Sequence, residues 1–317
     1  MSTNSQLREL SDGAYAWVAP NGSWGWSNAG LIVDGDQSLL VDTLYDLSLT
    51  GDMLKVMHDV EPCTRSIDTL VNTHANGDHC HGNELVTGAD IIASEATALE
   101  MNELPPEAMA ALMATAGDMG HVGEYFLHCF GQFTFDGITY TPPNKTFKGE
   151  LDLTVGDKPV HLIEVGPAHT RGDVLVHSPT DSAVFTGDIL FIDCTPIVWE
   201  GPISNWVAAC RRIEAMDVAH IVPGHGPITD RRGVERVRNY LEFVQREAKL
   251  RFDAGMGVEQ AAQDIDLGEF GDWGESERIV VNVDTAYREF AADAERTDIF
   301  ELFRQMAEIA GYRPASQ

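Results

Sequence analysis

One short stretch of the chain concentrates side chains that could bind a transition metal. The segment at 68–83, DTLVNTHANGDHCHGN, begins with an apolar pair, Leu70 and Val71, and then supplies five candidate ligands: His74, Asn76, Asp78, His79 and His81. Imidazole and carboxylate groups this close together suit divalent zinc, manganese or iron. The alternative is a solvated surface loop that happens to be rich in histidine and aspartate.

Three later stretches repeat the same arrangement, in which an apolar β-type run ends in a glycine-containing turn with one more ligand type. They are IEVGPAHTRGD at 163–173, VFTGD at 184–188 and IVPGHG at 221–226, and they carry His169, Asp188 and His225. Loops at strand ends can converge on one point when the strands belong to packed sheets. The four stretches together therefore predict one metal site.

The order of these ligand types resembles the metallo-β-lactamase superfamily, whose first motif, His-x-His-x-Asp-His, precedes a single His, a bridging Asp and a final His. The resemblance covers roughly residues 1–245. It implies an α/β fold, a four-layer αββα sandwich, and two groups of metal ligands that Asp188 joins. The first group would be His74, Asn76 and His169, and the second Asp78, His79 and His225.

Asn76 departs from the family pattern, because it stands where the superfamily has its second histidine. An amide oxygen is a poorer zinc ligand than imidazole, so we expect a weakened first group and an intact second group. The predicted cofactor is a divalent metal, zinc as one or two ions, with iron or manganese as alternatives. His81 could compensate for Asn76, although a place outside the ligand set is favoured. Cys80 is predicted to be a bystander.

Such a site predicts metal-dependent hydrolysis, since a divalent ion lowers the pKa of bound water to about 7 and polarises a carbonyl group. Asp78 is the predicted catalytic residue, which would orient or deprotonate the water. Asp173 is a candidate for orienting His169 from behind. The predicted substrate is a small organic molecule with an ester, lactone, thioester or amide bond.

Two other functions stay open from the sequence. His74, His169 and Asp188 form a 2-His-1-carboxylate set, typical of mononuclear non-haem Fe(II) oxygenases, and the sulfur dioxygenases of the superfamily resemble that arrangement. A non-catalytic binding module is the other alternative. Retention of nearly every ligand type, including the whole second group, favours the hydrolase.

Composition limits the partners and the compartment. The chain has 21 Lys and Arg against 50 Asp and Glu, a formal net charge of −29. Neutralising phosphates requires clustered positive charge, so we predict no nucleic acid and no membrane partner. Five cysteines without a Cys-x-x-Cys pair, and an amino terminus without a signal-peptide pattern, predict a cytoplasmic protein.

The elements that position the ligands follow from hydrophobic periodicity. Short β-type runs are predicted at 14–18, 30–33, 38–41, 91–93, 151–155, 160–165, 174–177, 183–186 and 220–222. Helical spacing is predicted at 50–59, 204–216, 258–265, 277–292 and 298–310. From 233 the spacing is also helical, with one apolar face made by Val234, Val237, Leu241 and Val244.

A segment at about 97–140 interrupts the sandwich pattern with Met, Phe and Ala at helical spacing, and predicts a helical insertion. Met-rich surfaces suit a partly apolar substrate. We divide the chain into a metallo-β-lactamase-like domain, 1–245, and a helical carboxy-terminal extension, 246–317, which could cap the sandwich, shape the pocket or form a homodimer. The candidate substrate-contacting residues are Trp24, Trp26, Tyr125 and Phe130.

Overall fold

Two β-sheets pack face to face in the computed structural model, which describes residues 6–291 and 295–313. Helices cover the outer face of each sheet. The predicted four-layer αββα sandwich is therefore confirmed. Within the described ranges, no helix is both long enough and apolar enough to cross a membrane.

The first sheet has seven strands, whose spatial order follows the chain. They are β1 (Gln6–Ser11), β2 (Ala14–Val18), β3 (Ala29–Asp34), β4 (Gln37–Val41), β5 (Thr69–Val71), β6 (Asp90–Ser94) and β7 (Lys145–Phe147). Strands β1 to β4 pair antiparallel, whereas β4 to β7 pair parallel. Strand β1 lies at the sheet edge, and its polar and half-exposed sequence gives no alternating apolar pattern, which is why the sequence did not predict it.

The second sheet has five strands in the order β12-β11-β10-β9-β8. They are β8 (Glu150–Val155), β9 (Lys158–Glu164), β10 (Val174–Ser178), β11 (Ala183–Phe185) and β12 (His220–Val222). Strands β11 and β12 pair parallel, so that their carboxyl ends lie at the same edge of the sheet. The candidate ligands Asp188 and His225 follow these two ends.

The core between the sheets is made by alternating apolar side chains of both inner faces. Ile32 and Val71 of the first sheet belong to one buried cluster with Leu162 and Phe185 of the second. The sheets approach so closely that a Cβ on Gly30 would lie 2.3 Å from the Phe185 ring. Glycine at this position therefore permits the packing of β3 on β11.

The helices are α1 (Leu47–Val60), α2 (Glu95–Glu100), α3 (Pro106–Thr115), α4 (Gly120–Phe130), α5 (Ile203–Glu214), α6 (Arg231–Asp253), α7 (Val258–Asp264), α8 (Ile279–Phe290) and α9 (Ile299–Ile309). Helix α1 buries Met53 and Met57 against the first sheet. Helices α5 and α6 cover the second sheet, and the predicted apolar face of α6 is buried.

Helices α2, α3 and α4 occupy the region predicted as a helical insertion, whereas residues 131–144 contain no α-helix. Helix α4 packs against α9 of the extension, so the insertion and the extension meet. Helix α6 runs without a break through position 245. The domain boundary placed there stays a prediction.

Candidate metal centre and cavity

The candidate ligands lie in four loops at one end of the sandwich. The loop after β5 carries His74 to His79, and the loop between β9 and β10 carries His169. Asp188 follows β11 in a short 3₁₀ turn, and His225 follows β12. Because strands of both sheets lead into these loops, residues up to 151 positions apart in sequence meet at Asp188.

The first ligand group is centred on Asp188 Oδ2. The His74 Nε2 atom lies 3.6 Å from this oxygen and the His169 Nε2 atom lies 3.3 Å from it. Asn76 is adjacent, with its side-chain amide nitrogen 2.9 Å from His169 Nε2. The structure therefore brings the four residues together.

The second ligand group surrounds the same carboxylate and approaches both of its oxygens. His79 Nε2 is 3.1 Å from Asp188 Oδ1, and His225 Nε2 is 3.4 Å from Asp188 Oδ2. Asp78 completes the group, with its Oδ2 atom 3.3 Å from His225 Nε2. The ligand atoms of His74, His169 and Asp188 lie within 4.8 Å of one another, and so do those of Asp78, His79 and His225.

The chemistry of these atoms fits a divalent metal ion. His74 Nε2, His79 Nε2 and Asp188 Oδ1 are buried and have no hydrogen-bond partner among the described residues. A buried polar atom without a partner costs about 1–3 kcal/mol. Three such atoms that face one another are explained by ions that accept their lone pairs, since zinc prefers imidazole and carboxylate ligands.

The two histidines of the first group are neutral ligands. Burial is the main cause that lowers the pKa of both, and it lowers the pKa of His74 well below its ordinary value. His169 Nδ1 donates a hydrogen bond to the backbone carbonyl oxygen of Ile197 at 2.7 Å, so its Nε2 atom carries the lone pair. Both imidazoles therefore offer a lone pair at neutral pH.

The two histidines of the second group hold protons more tightly than ordinary histidines when no metal is bound. Burial alone would lower the pKa of His225, but the nearby Asp188 and Asp78 carboxylates outweigh it and raise the pKa to about 9. Burial would likewise lower the pKa of His79, but the Asp188 and Asp78 carboxylates, with Asp42, raise it well above its ordinary value. Burial would raise the pKa of Asp78, yet His79 and His225 lower it to about 2.

Contacts behind the ligands fix their orientation. Asp42 Oδ2 accepts a hydrogen bond from His79 Nδ1 at 2.9 Å and also one from the Thr73 hydroxyl at 2.7 Å. The prediction that Asp173 orients His169 is wrong, because Asp173 accepts hydrogen bonds from the backbone and hydroxyl of Thr170 instead. The Ile197 carbonyl takes that role.

Sequence reasoning missed Asp42 as a residue that positions a ligand. The available signal was its place at the end of β4, since the candidate ligands also follow strands. Its backbone has φ of +63°, a conformation that Asp adopts more readily than most residues. Nothing in the local sequence connects Asp42 with His79, which is 37 residues away.

His81 and Cys80 lie outside both groups. His81 is buried against Tyr45, with ring centroids 5.4 Å apart, and burial lowers its pKa to about 4. The Cys80 thiol faces the backbone carbonyl oxygens of Ala75 and Asn76. Neither side chain belongs to a cluster of ligand atoms, so both fit the roles favoured from the sequence.

A cavity of about 700 Å³ opens directly onto the centre. Asp78, His169, Asp188 and His225 form part of its floor. Its walls are mainly apolar and come from the helical insertion and the extension: Met109, Leu112, Met119, Val122, Phe126, Phe130, Ile299, Phe300 and Phe303. The insertion and the extension thus shape the space above the ligands.

The four candidate substrate-contacting residues separate into two pairs. Trp24 and Phe130 line the cavity, with their rings 5.6 Å apart in an edge-to-face contact. Trp26 and Tyr125 lie outside the lining. Trp26 packs on Phe133, and Tyr125 is buried behind the wall, where its hydroxyl donates a hydrogen bond to Glu277.

Residues 22–225 match the metallo-beta-lactamase superfamily, and the chain belongs to this family. A beta-lactamase-like protein 2 homolog from Caenorhabditis elegans is 26% identical over 226 residues, which are 71% of this chain and 64% of the relative. A hydroxyacylglutathione hydrolase from Maricaulis maris is 24% identical over 180 residues, or 56% of this chain and 55% of the relative. The chain thus spans less than two thirds of the length of both curated relatives.

Solved structures show the same fold at low sequence identity. A metallo-beta-lactamase from Pontibacter korlensis superposes with a TM-score of 0.54 at 17% identity, covering 75% of this chain and 99% of its own. A stereoselective inverting sec-alkylsulfatase from a Pseudomonas species superposes with a TM-score of 0.66 at 15% identity. That match covers 98% of this chain and 52% of the sulfatase, so it extends over the helical extension as well.

Proposed function

We propose that the protein is a metal-dependent hydrolase that cleaves an ester, lactone, thioester or amide bond of a small, partly apolar molecule. The observation that carries this proposal is the pair of ligand groups that meet at Asp188 at the floor of the cavity. Hydrolytic relatives support the reaction class. The substrate class is part of this proposal, and so is the identity of the ion, which we propose to be zinc.

Each of the two ligand groups would hold one metal ion. His74, His169 and Asp188 would hold one ion, with Asn76 beside them, and the second would be held by Asp78, His79, His225 and Asp188. A bound divalent ion supplies Lewis acidity and makes a water molecule acidic enough to ionise near neutral pH. Asp42 fixes the His79 ring, and Phe191 stacks on His225 at 5.0 Å.

Asp78 is the proposed catalytic residue because it is the second-group carboxylate that lines the cavity. Its pKa of about 2 keeps it ionised at neutral pH, so its oxygens can accept a hydrogen bond from a water molecule beside the substrate. The apolar walls would exclude bulk water from the reacting bond.

Free cysteines support the proposed cytoplasmic location.

The rival reaction is that of a mononuclear Fe(II) oxygenase. His74, His169 and Asp188 do form a 2-His-1-carboxylate cluster in the structure. The complete second group favours the hydrolase, because an oxygenase with one iron has no use for three further ligands. A non-catalytic binding module would have no use for either group.

A panel of chromogenic esters, lactones and thioesters tests the proposal. We expect turnover by the purified protein, loss of turnover after chelation and recovery when zinc is added. Asp78→Asn should reduce turnover by about 100-fold or more while the far-ultraviolet circular dichroism spectrum stays unchanged. Full activity in that variant, or oxygen uptake on a thiol with no hydrolysis, would contradict the proposal.

A further inference from the structure

The cavity wall contains a buried arginine without an acidic partner. Arg278 is 1% exposed and lines the cavity. Among the described residues, its one hydrogen bond runs from Nη1 to the Thr195 carbonyl oxygen at 2.8 Å, and its buried Nε atom has no partner. No carboxylate oxygen in the described part of the chain lies within 4.0 Å of the guanidinium group. A buried charge in this state is costly.

Two aromatic rings hold the guanidinium group in place without using its donors. The Arg278 Cζ atom lies 4.1 Å from the centroid of the Trp24 ring and 5.5 Å from that of Phe191. Such cation–π contacts stabilise the charge, but they accept no hydrogen bond in the plane of the group. The edge of the guanidinium group is thus left available for an acceptor.

Phe191 also connects this arginine with the metal centre. The Phe191 ring stacks on His225 with an interplanar angle of 2° and a centroid distance of 5.0 Å. Arg278 and the candidate metal ligand His225 therefore contact the same aromatic ring, and both line the cavity. Because both residues line one cavity, we expect a single bound molecule to contact both of them.

The other arginines in the lining each lie within 4.0 Å of a carboxylate oxygen. Arg171 makes two hydrogen bonds with the Glu103 carboxylate, at 2.5 and 2.9 Å. Arg296 donates to the Trp199 carbonyl oxygen and lies 3.8 Å from Glu200. Both are more than a third exposed. Arg278 differs from both: it is buried, it has no carboxylate oxygen within 4.0 Å among the described residues, and the cavity wall around it is mainly apolar.

We propose that Arg278 binds a carboxylate group of the substrate. The planar guanidinium group presents paired N–H donors that match the two oxygens of a carboxylate. The apolar walls would take the hydrocarbon part, and the metal centre would take the bond to be cleaved. The substrate class is therefore an organic carboxylate with a hydrocarbon chain and a second, hydrolysable acyl group; this last part rests on the proposed function.

Binding of two matched probes to the metal-loaded protein tests this inference. Octanoate and octanamide share the same chain, but only octanoate carries a charge. By isothermal titration calorimetry we expect the wild-type protein to prefer octanoate by about tenfold or more. Arg278→Gln should remove this preference and leave the affinity for octanamide unchanged. Arg171→Gln, which removes a cavity arginine that is already paired, should keep the preference.

The variants separate the guanidinium group from the metal as the anion site. Equal affinity of the wild-type protein for both probes would overturn the inference, and so would an octanoate preference that survives in Arg278→Gln. If Arg278→Gln does not fold, a crystal structure of the wild-type protein with 8-bromooctanoate decides. The carboxylate on Arg278 supports the inference, and the carboxylate on the metal contradicts it.

The two proposals fail in different ways. Absence of hydrolysis across the ester panel would contradict the proposed function while the octanoate preference stays intact. Hydrolysis without any octanoate preference would leave the proposed function standing and remove the role of Arg278. Binding, and not turnover, is therefore the deciding measurement for the inference.

Discussion

Asp42 Oδ2 accepts a hydrogen bond of 2.9 Å from His79 Nδ1, and this contact directs the opposite ring nitrogen of His79 toward Asp188 Oδ1 at 3.1 Å. The same carboxylate also accepts from the backbone N–H and the hydroxyl of Thr73, the residue before His74. One buried aspartate thus orients a ligand of the second group and fixes the backbone next to a ligand of the first.

Asp42→Asn should weaken metal binding, because the amide removes the charge that stabilises the His79 ring orientation. Loss of such a contact behind a ligand costs about 10–100-fold in metal affinity. Competition with a chromogenic chelator measures the change. Asp68→Asn is the control, since Asp68 accepts a hydrogen bond from the Ser38 backbone away from the ligands. Equal affinities for both variants would argue against the role of Asp42.

Asn76→His should strengthen the first ligand group. Asn76 lies 2.9 Å from His169 Nε2, and imidazole binds zinc better than an amide does. We expect the variant to retain more metal per chain than the wild-type protein during dialysis against a fixed chelator concentration. Asn76→Ala should retain less metal than the wild-type protein if the amide takes part in binding. An unchanged metal content in both variants would exclude residue 76 from the ligand set.

Asn282→Ala should destabilise the protein, because Asn282 connects the carboxy-terminal extension to the loop behind the metal centre. This buried side chain accepts from the Val198 backbone and donates to the Pro196 carbonyl and the Tyr240 hydroxyl, and so holds the loop whose Ile197 carbonyl orients His169. We expect a loss of about 2–4 kcal/mol in the free energy of unfolding, measured in urea. The exposed control Asn102→Ala should change it by about 0.5 kcal/mol or less. Similar values for both variants would contradict this account.

Metal binding should release protons and tighten as the pH rises. The pKa of His225 is about 9 in the metal-free protein, so at pH 7 this imidazole is protonated and must lose its proton before it can bind an ion. The apparent affinity should therefore increase with pH up to about 9 and level off above it. Calorimetry in buffers of different ionisation enthalpy measures the protons released. No release at pH 7 would show that His225 is not a ligand.

The sequence predicted most strand positions well because the strands carry their own apolar and turn signals, whereas the four-layer sandwich followed from the resemblance to the metallo-β-lactamase superfamily. Strands β2 and β12 fall at the predicted positions, and the buried face of α6 follows the 3.6-residue period. The seven candidate ligands come together in the structure because each follows a strand end, a feature that local periodicity reveals. Strand β1 was missed because an exposed edge strand lacks that periodicity.

Features that depend on packing between distant elements could not be predicted from the sequence. Tyr125 and Phe130 both lie in the aromatic segment of α4, but only Phe130 faces the cavity, while Tyr125 is buried beneath it. The importance of Arg278 depends on Trp24 and Phe191, which are far away in the chain. No local sequence pattern predicts which arginine will have no carboxylate partner.

Elemental analysis of the protein purified without chelator, combined with the ester panel, tests whether the two ligand groups form a hydrolytic metal centre. We expect zinc at about two atoms per chain, because two ligand groups share one carboxylate, together with hydrolysis that chelation removes. About one atom of iron per chain, with oxygen uptake on a thiol substrate and no hydrolysis, would contradict it and transfer the chemistry to His74, His169 and Asp188.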